Sequence, residues 1–350
     1  MKKAVCILLA VCFILLPVSA ENISARSAVV MDAFSGEFVY EKAPDLVLPP
    51  ASTTKLLTAY VAVNLCPLER EMTVSQDMLS TEGSMMYLRA GERITLRELL
   101  YGLLLCSGND AALAIARLVC GSVEGFVGQM NLFAAELGMT SSHFENPHGL
   151  PSKDHYTTAA DLARLMAAFS KNGILMEISG TREHIGSGRT LINHNKLLWQ
   201  YDAVDGGKTG YTKEAGRCLV TTAVKNGRRL VAVTLNASDD WNDHKKLYEA
   251  AFSRYSETVA LPVGIELDVV GSALERVPVV FETADIRLTP QELEKAKTVV
   301  YMPHFAYAPV KAGENIGYIS ILIDGKELSR ILLYTDKNAD TAARTYGKRI

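Results

Sequence analysis

An α+β fold is predicted: an antiparallel sheet flanked by a helical block, followed by a small all-β domain. Three observations lead there. Strand-like runs open the chain after residue 26 and return after Lys208, with a long helical block between them. Two of the later runs are joined by Asn226-Gly227, the strongest short hairpin signal. From about Leu261 short β-type runs punctuated by proline take over. Strands, helices, strands and a final helix, in that order, cluster the helices against one sheet.

The chain has 350 residues, enough for one or two domains. Hydrophobic residues make up 48% and charged residues 21%, which suits a buried core and argues against disorder. No basic run or basic helix face is present, so nucleic acid is not an expected partner. Met1-Lys2-Lys3, an apolar run from Ala4 to Leu16, Pro17, and Val18-Ser19-Ala20 read as a secretory signal over residues 1–20, cleaved after Ala20. The run is short for a membrane span. Cys12 does not sit in a good lipoprotein context, since Val11 precedes it and apolar residues continue beyond. Loss of Lys2 and Lys3 with the leader takes the net charge from −3 to −5. The mature protein is expected outside the cytoplasm, secreted or associated with the wall or membrane surface. Of 6 cysteines, Cys66, Cys106, Cys120 and Cys218 remain after cleavage. Export permits disulfides, but four cysteines allow three pairings and the sequence does not choose among them; burial as small hydrophobes is the other reading.

Taken in order, Ser27–Ala33 and Phe38–Tyr40 form a predicted hairpin around Ser35-Gly36-Glu37. Pro49-Pro50 halts the chain, and Ser52–Val63 reads as a helix with Leu56, Leu57, Tyr60, Val61 and Val63 on its apolar face. Thr95-Leu96-Arg97-Glu98 is a capping box opening a helix toward Leu105. Asp110–Val119, Val123–Leu137 and Thr158–Ser170 are further helices, with Gly138 and Gly173 as stops. Gly216–Val224 and Arg228–Asn236 are strands, and Trp241–Tyr255 a helix. The β-type runs of the last part are Leu267–Val270, Val277–Phe281, Thr298–Tyr301, Ile316–Ile323 and Ile331–Tyr334. The expected division is 21–258 and 259–350, the second part ending in a polar tail.

Three short motifs carry the chemistry. Ser52-Thr53-Thr54-Lys55 places a hydroxyl and an amine three residues apart, on one face of a helical turn. A serine hydroxyl is a weak nucleophile without a base, and a lysine serves only if burial or neighbouring positive charge lowers its pKa. Ser107-Gly108-Asn109 puts a hydroxyl and an amide at a turn between helices. Lys208-Thr209-Gly210 follows Asp205-Gly206-Gly207 just before a predicted strand, where glycine lets a ligand backbone approach. Each alone is ordinary: a capped helix start, a turn, a strand entry. Ser-x-x-Lys, Ser-x-Asn and Lys-Thr-Gly in this order are the signature of class A β-lactamases and penicillin-binding proteins.

The likeness extends to Pro50-Ala51-Ser52-Thr53-Thr54-Lys55, Leu104–Ala112, Asn146-Pro147-His148-Gly149-Leu150 and Gly207–Thr212. These strings resemble the low-molecular-mass penicillin-binding proteins, serine D-alanyl-D-alanine carboxypeptidases of the penicillin-binding protein 5 and sporulation-type group. The resemblance covers about residues 24–255, and the C-terminal part more loosely. It implies a β-lactamase/transpeptidase-like first domain and no cofactor or metal. It implies substrates that are peptidoglycan stem peptides ending in D-Ala-D-Ala, with β-lactams as covalent inhibitors. By the same resemblance, Ser52 would form the acyl-enzyme and Lys55 would take its proton, with the identity of the base left open between lysines. Ser107 would relay a proton to the leaving D-alanine and Asn109 would bind Lys55 or the substrate amide. Lys208 and Thr209 would hold the terminal carboxylate, and Gly210 would let the substrate approach. Backbone N–H groups of Ser52 and Tyr211 would form the oxyanion hole.

Two departures stand out. Many relatives carry an arginine after the strand that follows Lys-Thr-Gly; here Asp239-Asp240-Trp241-Asn242-Asp243-His244 has none, so carboxylate binding is expected to rest on Lys208 and Thr209. The polar tail Asp336–Ile350 lacks the amphipathic anchor of many relatives, so no strong membrane anchor is expected. Competing readings are a D,D-endopeptidase or β-lactamase on the same scaffold, and a non-catalytic wall-binding protein. The Glu-x-x-Leu-Asn string of class A β-lactamases, the Gly-x-Ser-x-Gly elbow and any zinc-ligand spacing are all missing from the sequence. His148, His155, His194 and His244 are therefore expected to be structural or loop histidines.

Overall fold

The computed structural model describes residues 22–282 and 284–342; the predicted leader and the end of the polar tail lie outside them. The chain opens with the expected hairpin, β1 (Ser27–Asp32) and β2 (Phe38–Lys42). A 3-10 turn over Ala51–Thr54 then leads into α1 (Lys55–Leu65). The helix predicted from Ser52 thus begins with a tighter turn, entered through Ala51 at φ +49°. β3 (Glu71–Thr73) pairs with β4 (Arg93–Thr95), which runs into α2 (Leu96–Leu104). Only half of the predicted capping box forms there. Thr95 Oγ1 accepts from the Glu98 N–H, but the Glu98 carboxylate instead meets His184 Nε2 at 2.9 Å and Ser187 Oγ at 3.1 Å. A tertiary partner has outcompeted the local one.

α3 (Asn109–Cys120), α4 (Val123–Glu136) and α5 (Ala159–Phe169) complete the expected helical block. Gly138 ends α4 at φ +73°, as predicted. Gly173 does not stop a helix; it starts α6 (Gly173–Gly180), capped by the Asn172 side chain. α6 is too short for its apolar run to show a period, and it was missed. A small hairpin of β5 (Glu183–Gly186) and β6 (Arg189–Ile192), also unforeseen, and α7 (Leu197–Gln200) follow. Then come β7 (Val204–Thr212), β8 (Gly216–Lys225), β9 (Arg228–Ala237) and α8 (Asp240–Phe252). Asn226 and Gly227 join β8 to β9 with φ of +52° and +73°, the paired positive values of a two-residue hairpin turn.

The five strands are ordered β2-β1-β9-β8-β7, all antiparallel. β1 is buried along its whole length because both faces are covered. Val29 and Met31 point into a core with α1–α5, while Ala28 and Val30 point into a second core with α8. Full burial of each Val, Leu or Met is worth about 1.5–3 kcal/mol. This two-sided packing leaves β7 at the open edge, with its outer face beside the serine turn.

Beyond residue 256 are β10 (Glu257–Thr258), β11 (Glu266–Val270), β12 (Arg276–Val280), β13 (Arg287–Leu288) and α9 (Pro290–Lys295). β14 (Ala296–Tyr301), β15 (Phe305–Tyr307), β16 (Asn315–Ile323) and β17 (Lys326–Thr335) follow. Six of these strands form a sheet ordered β14-β16-β17-β12-β11-β15 over a core of their own. The second part is thus a β structure carrying one short helix, which Thr289 and Glu292 close with a complete capping box. The two parts meet at the β8–β9 turn. Buried Arg228 contacts the carboxylates of Asp32 and, at 2.8 Å, Glu292, and stacks over Tyr255. A buried guanidinium without such partners would cost several kcal/mol.

Candidate active site

Ser52 sits in the middle of the 3-10 turn, so the spacing of three brings Lys55 Nζ to 2.9 Å from Ser52 Oγ. Lys55 is fully buried, and its Nζ also reaches Asn109 Oδ1 at 2.7 Å and the His148 carbonyl at 2.6 Å. Asn109 is locked in turn: its Nδ2 donates to the Glu82 carbonyl and its backbone N–H to that of Ser84. Burial pushes the Lys55 amine well below its ordinary range, and the nearby charge of Lys208 pushes it further; Asp110 pulls the other way. Cys106 does not help at neutral pH, because burial raises its own thiol above the ordinary value. Desolvating an ammonium is costly, so burial favours the neutral amine that a base requires.

Lys208, Thr209, Gly210 and Tyr211 lie within β7, not before it. The Lys-Thr-Gly motif is therefore part of a terminal strand of the sheet, whose unpaired edge is where an extended peptide can add as a further strand. Lys208 is buried, its Nζ donates to the Thr209 carbonyl at 2.9 Å, and burial lowers its pKa to about 7. A Cβ on Gly210 would stand 3.1 Å from both the Pro50 carbonyl oxygen and the Ser52 nitrogen. Glycine is what lets β7 press against the serine turn. Ser107 joins α2 to α3 at φ +63°. It and Ala51 are non-glycine residues in the left-handed region, a strain that surrounding structure must hold in place. Ser52, Ser107, Thr209 and Tyr211 together line a cleft of about 490 Å³.

The structure brings further residues to the site to which no motif assigns a role. Asn146 Oδ1 accepts from the His148 and Gly149 N–H groups, and Thr58 Oγ1 donates to the Pro147 carbonyl, so this loop presents the His148 carbonyl to Lys55. Burial and then the Lys55 charge lower His148 to about 4, leaving its ring neutral at pH 7. The Asp110 carboxylate accepts from the Met86 and Leu88 N–H groups and fixes the loop beside Ser84, another cleft residue. His194, expected to be structural, lines the cleft, whereas His244 is structural as expected, buried between Thr221 and Thr234. Arg217, Asp240 and Trp241 form the far wall. Cys66, Cys106, Cys120 and Cys218 are all free.

Gly149 offers a direct test of this scaffold. It has φ +88°, and an added Cβ would lie 1.9 Å from the Ala51 carbonyl oxygen, in the turn that carries Ser52. Gly149→Ala is expected to destabilise the protein by about 2–4 kcal/mol, read by thermal unfolding, and to slow penicillin acylation of the remaining folded protein. Unchanged unfolding and unchanged acylation would contradict the packing described.

Comparison with known proteins agrees with this arrangement. Residues 16–239 match the D-alanyl-D-alanine carboxypeptidase family, and residues 266–341 match the C-terminal domain of penicillin-binding protein 5. D-alanyl-D-alanine carboxypeptidase DacF of Bacillus subtilis is 31% identical over 87% of this chain and 83% of its own length. DacC of Escherichia coli is 32% identical over 92% and 86%. Among solved structures, penicillin-binding protein 5 of Haemophilus influenzae aligns with TM-score 0.65 and 25% identity, over 91% of this chain and 98% of that one. With the fold, the motif order and the family match in agreement, this chain belongs to the D-alanyl-D-alanine carboxypeptidase family and is a serine D-Ala-D-Ala carboxypeptidase of the low-molecular-mass penicillin-binding type.

Proposed function

We propose that Ser52 is the nucleophile that removes the terminal D-alanine from peptidoglycan stem peptides, with Lys55 as its base. The observation that carries this reading is the position of Lys55 Nζ, buried and within hydrogen-bond reach of Ser52 Oγ, Asn109 Oδ1 and the His148 carbonyl. A neutral amine has two N–H donors and one lone pair. The donors satisfy Asn109 and His148, and the lone pair faces the Ser52 hydroxyl. Ser52 Oγ attacks the penultimate carbonyl as its proton passes to Lys55. The oxyanion is met by the backbone N–H groups of Ser52 and Tyr211. The C–N bond then breaks, with a proton reaching the leaving nitrogen through Ser107. Water hydrolyses the ester and frees Ser52. Lys208 and Thr209 face the terminal carboxylate.

A β-lactam follows the same first step, but its leaving nitrogen stays tethered. The enzyme works outside the cytoplasm after loss of residues 1–20, and the mature chain divides into 21–258 and 259–350. The separate cores on either side of residue 258 support that division. The test is a labelled penicillin followed by peptide mapping and mass spectrometry. One adduct on the Ser52 peptide is expected, together with D-alanine release from a wall pentapeptide that penicillin blocks. A protein that releases D-alanine but carries the adduct elsewhere would overturn the assignment of Ser52.

A further inference from the structure

We propose that Arg217 receives the terminal carboxylate of the substrate, held at the cleft wall by Asp240 and Trp241; this rests on Ser52 being the nucleophile. The stretch after β9 holds no arginine, but the structure brings one in from a different strand. Tyr211 on β7 pairs with Arg217 on β8, and Thr209 pairs with Leu219. Residues two apart on a strand share a face, so Arg217 lies diagonally across from Thr209 on one side of the sheet. Such diagonal neighbours are about 7–8 Å apart, within reach of a long side chain. Both residues line the cleft that contains Ser52.

The surroundings of Arg217 hold it without using it up. Its side chain is 41% exposed, whereas that of Asp240 is 4% exposed. The guanidinium Nη2 lies 2.5 Å from Asp240 Oδ1, a short contact to a buried carboxylate that anchors one edge of the guanidinium. The ion pair fixes the position of the charge, and the 41% exposure of the Arg217 side chain leaves the rest of its guanidinium open to a ligand. The guanidinium also lies over the Trp241 ring, 5.8 Å from its centroid, which orients its plane. A planar fork of N–H donors matches a carboxylate, and two parallel bonds to one are stronger than a point charge gives.

Charge at the working pH favours the same assignment. Burial brings Lys208 to about 7, and burial also lowers Lys55 well below its ordinary range and lowers His194. A guanidinium, unlike an amine or an imidazole, is not deprotonated in proteins, and Arg217 carries one. It is the permanent cation among the groups lining this cleft.

The experiment compares acylation of the full-length protein by a penicillin and by its neutral methyl ester. Wild type should prefer the acid. In Arg217→Gln the second-order rate with the acid should fall by about tenfold or more, while the ester rate stays within about twofold. With a peptide ending in D-Ala-D-Ala, the same variant should raise KM more than it lowers kcat, and Arg217→Lys should recover part of the loss. Thermal unfolding confirms that the variants are folded. An acid-to-ester ratio unchanged in Arg217→Gln, or equal losses with both compounds, would overturn the assignment of Arg217 alone. A wild-type protein that forms no adduct with either compound would overturn the Ser52 reading and this inference with it.

Discussion

Ser52→Ala is expected to abolish D-alanine release, a fall of at least about ten-thousand-fold in kcat, with the fold intact. The only other hydroxyl of the three motifs that faces the cleft from the helical side is Ser107, but Lys55 Nζ lies against Ser52. Among the described residues neither Lys55 nor Lys208 has a hydrogen bond to Ser107. Loss of the Ser52 hydroxyl removes one hydrogen bond from Lys55 and leaves those to Asn109 and the His148 carbonyl. The stability change should therefore stay near 1 kcal/mol, the typical net worth of one such bond and about a fivefold change in equilibrium constant. Mass spectrometry of released D-alanine and thermal unfolding read the two quantities separately. Turnover near that of wild type would sink the mechanism.

Lys208→Met should produce opposite effects on activity and stability. Turnover should fall by about a hundredfold or more, because the group proposed to face the substrate carboxylate and the proton network is lost. Stability at neutral pH should rise. Burial lowers the folded pKa of Lys208 from 10.5 to about 7, so the unfolded chain holds a proton that the folded chain gives up between those values. Where the unfolded state binds more protons, stability increases with pH. The penalty of burying Lys208 is thus fully present below about pH 7 and is relieved as pH rises toward 10.5. Its ceiling is roughly 4–5 kcal/mol, and the measured gain should be smaller, about 1–3 kcal/mol, because the bond to the Thr209 carbonyl is also lost. Denaturant unfolding across pH 6–10 checks the sign: the variant's advantage should be largest at the acid end and shrink upward. A variant less stable than wild type at pH 6.5 would show that Lys208 is not the buried, depressed amine described here.

The parts of the site that could be read in advance are those set by near neighbours. Ser52 and Lys55 meet because three residues make one helical turn, whether that turn is 3-10 or α. Asn226-Gly227 reverses the chain because both residues tolerate positive φ. Other features escaped because no local pattern encodes them. The His148 carbonyl is a backbone atom, and nothing about a carbonyl marks it in a sequence. Arg217 enters the cleft only through the β7–β8 register, nine residues after Lys208. The Glu98 carboxylate left its own helix cap for His184, a partner distant in sequence. β13, β15 and α9 were too short to rise above the composition around them.

The sequence by itself determined the meeting of Ser52 and Lys55 on one turn, the order of the three motifs, the α+β class and the change to β structure near residue 260. Each of these depends on residue type over a few neighbouring positions. Only the tertiary structure decided which groups surround the amine of Lys55, how far burial moves both lysines, and which arginine faces the cleft. Those properties depend on desolvation and on contacts between β1, β7, β8, α1, α3 and α8. Both are summed over distances that sequence spacing does not record.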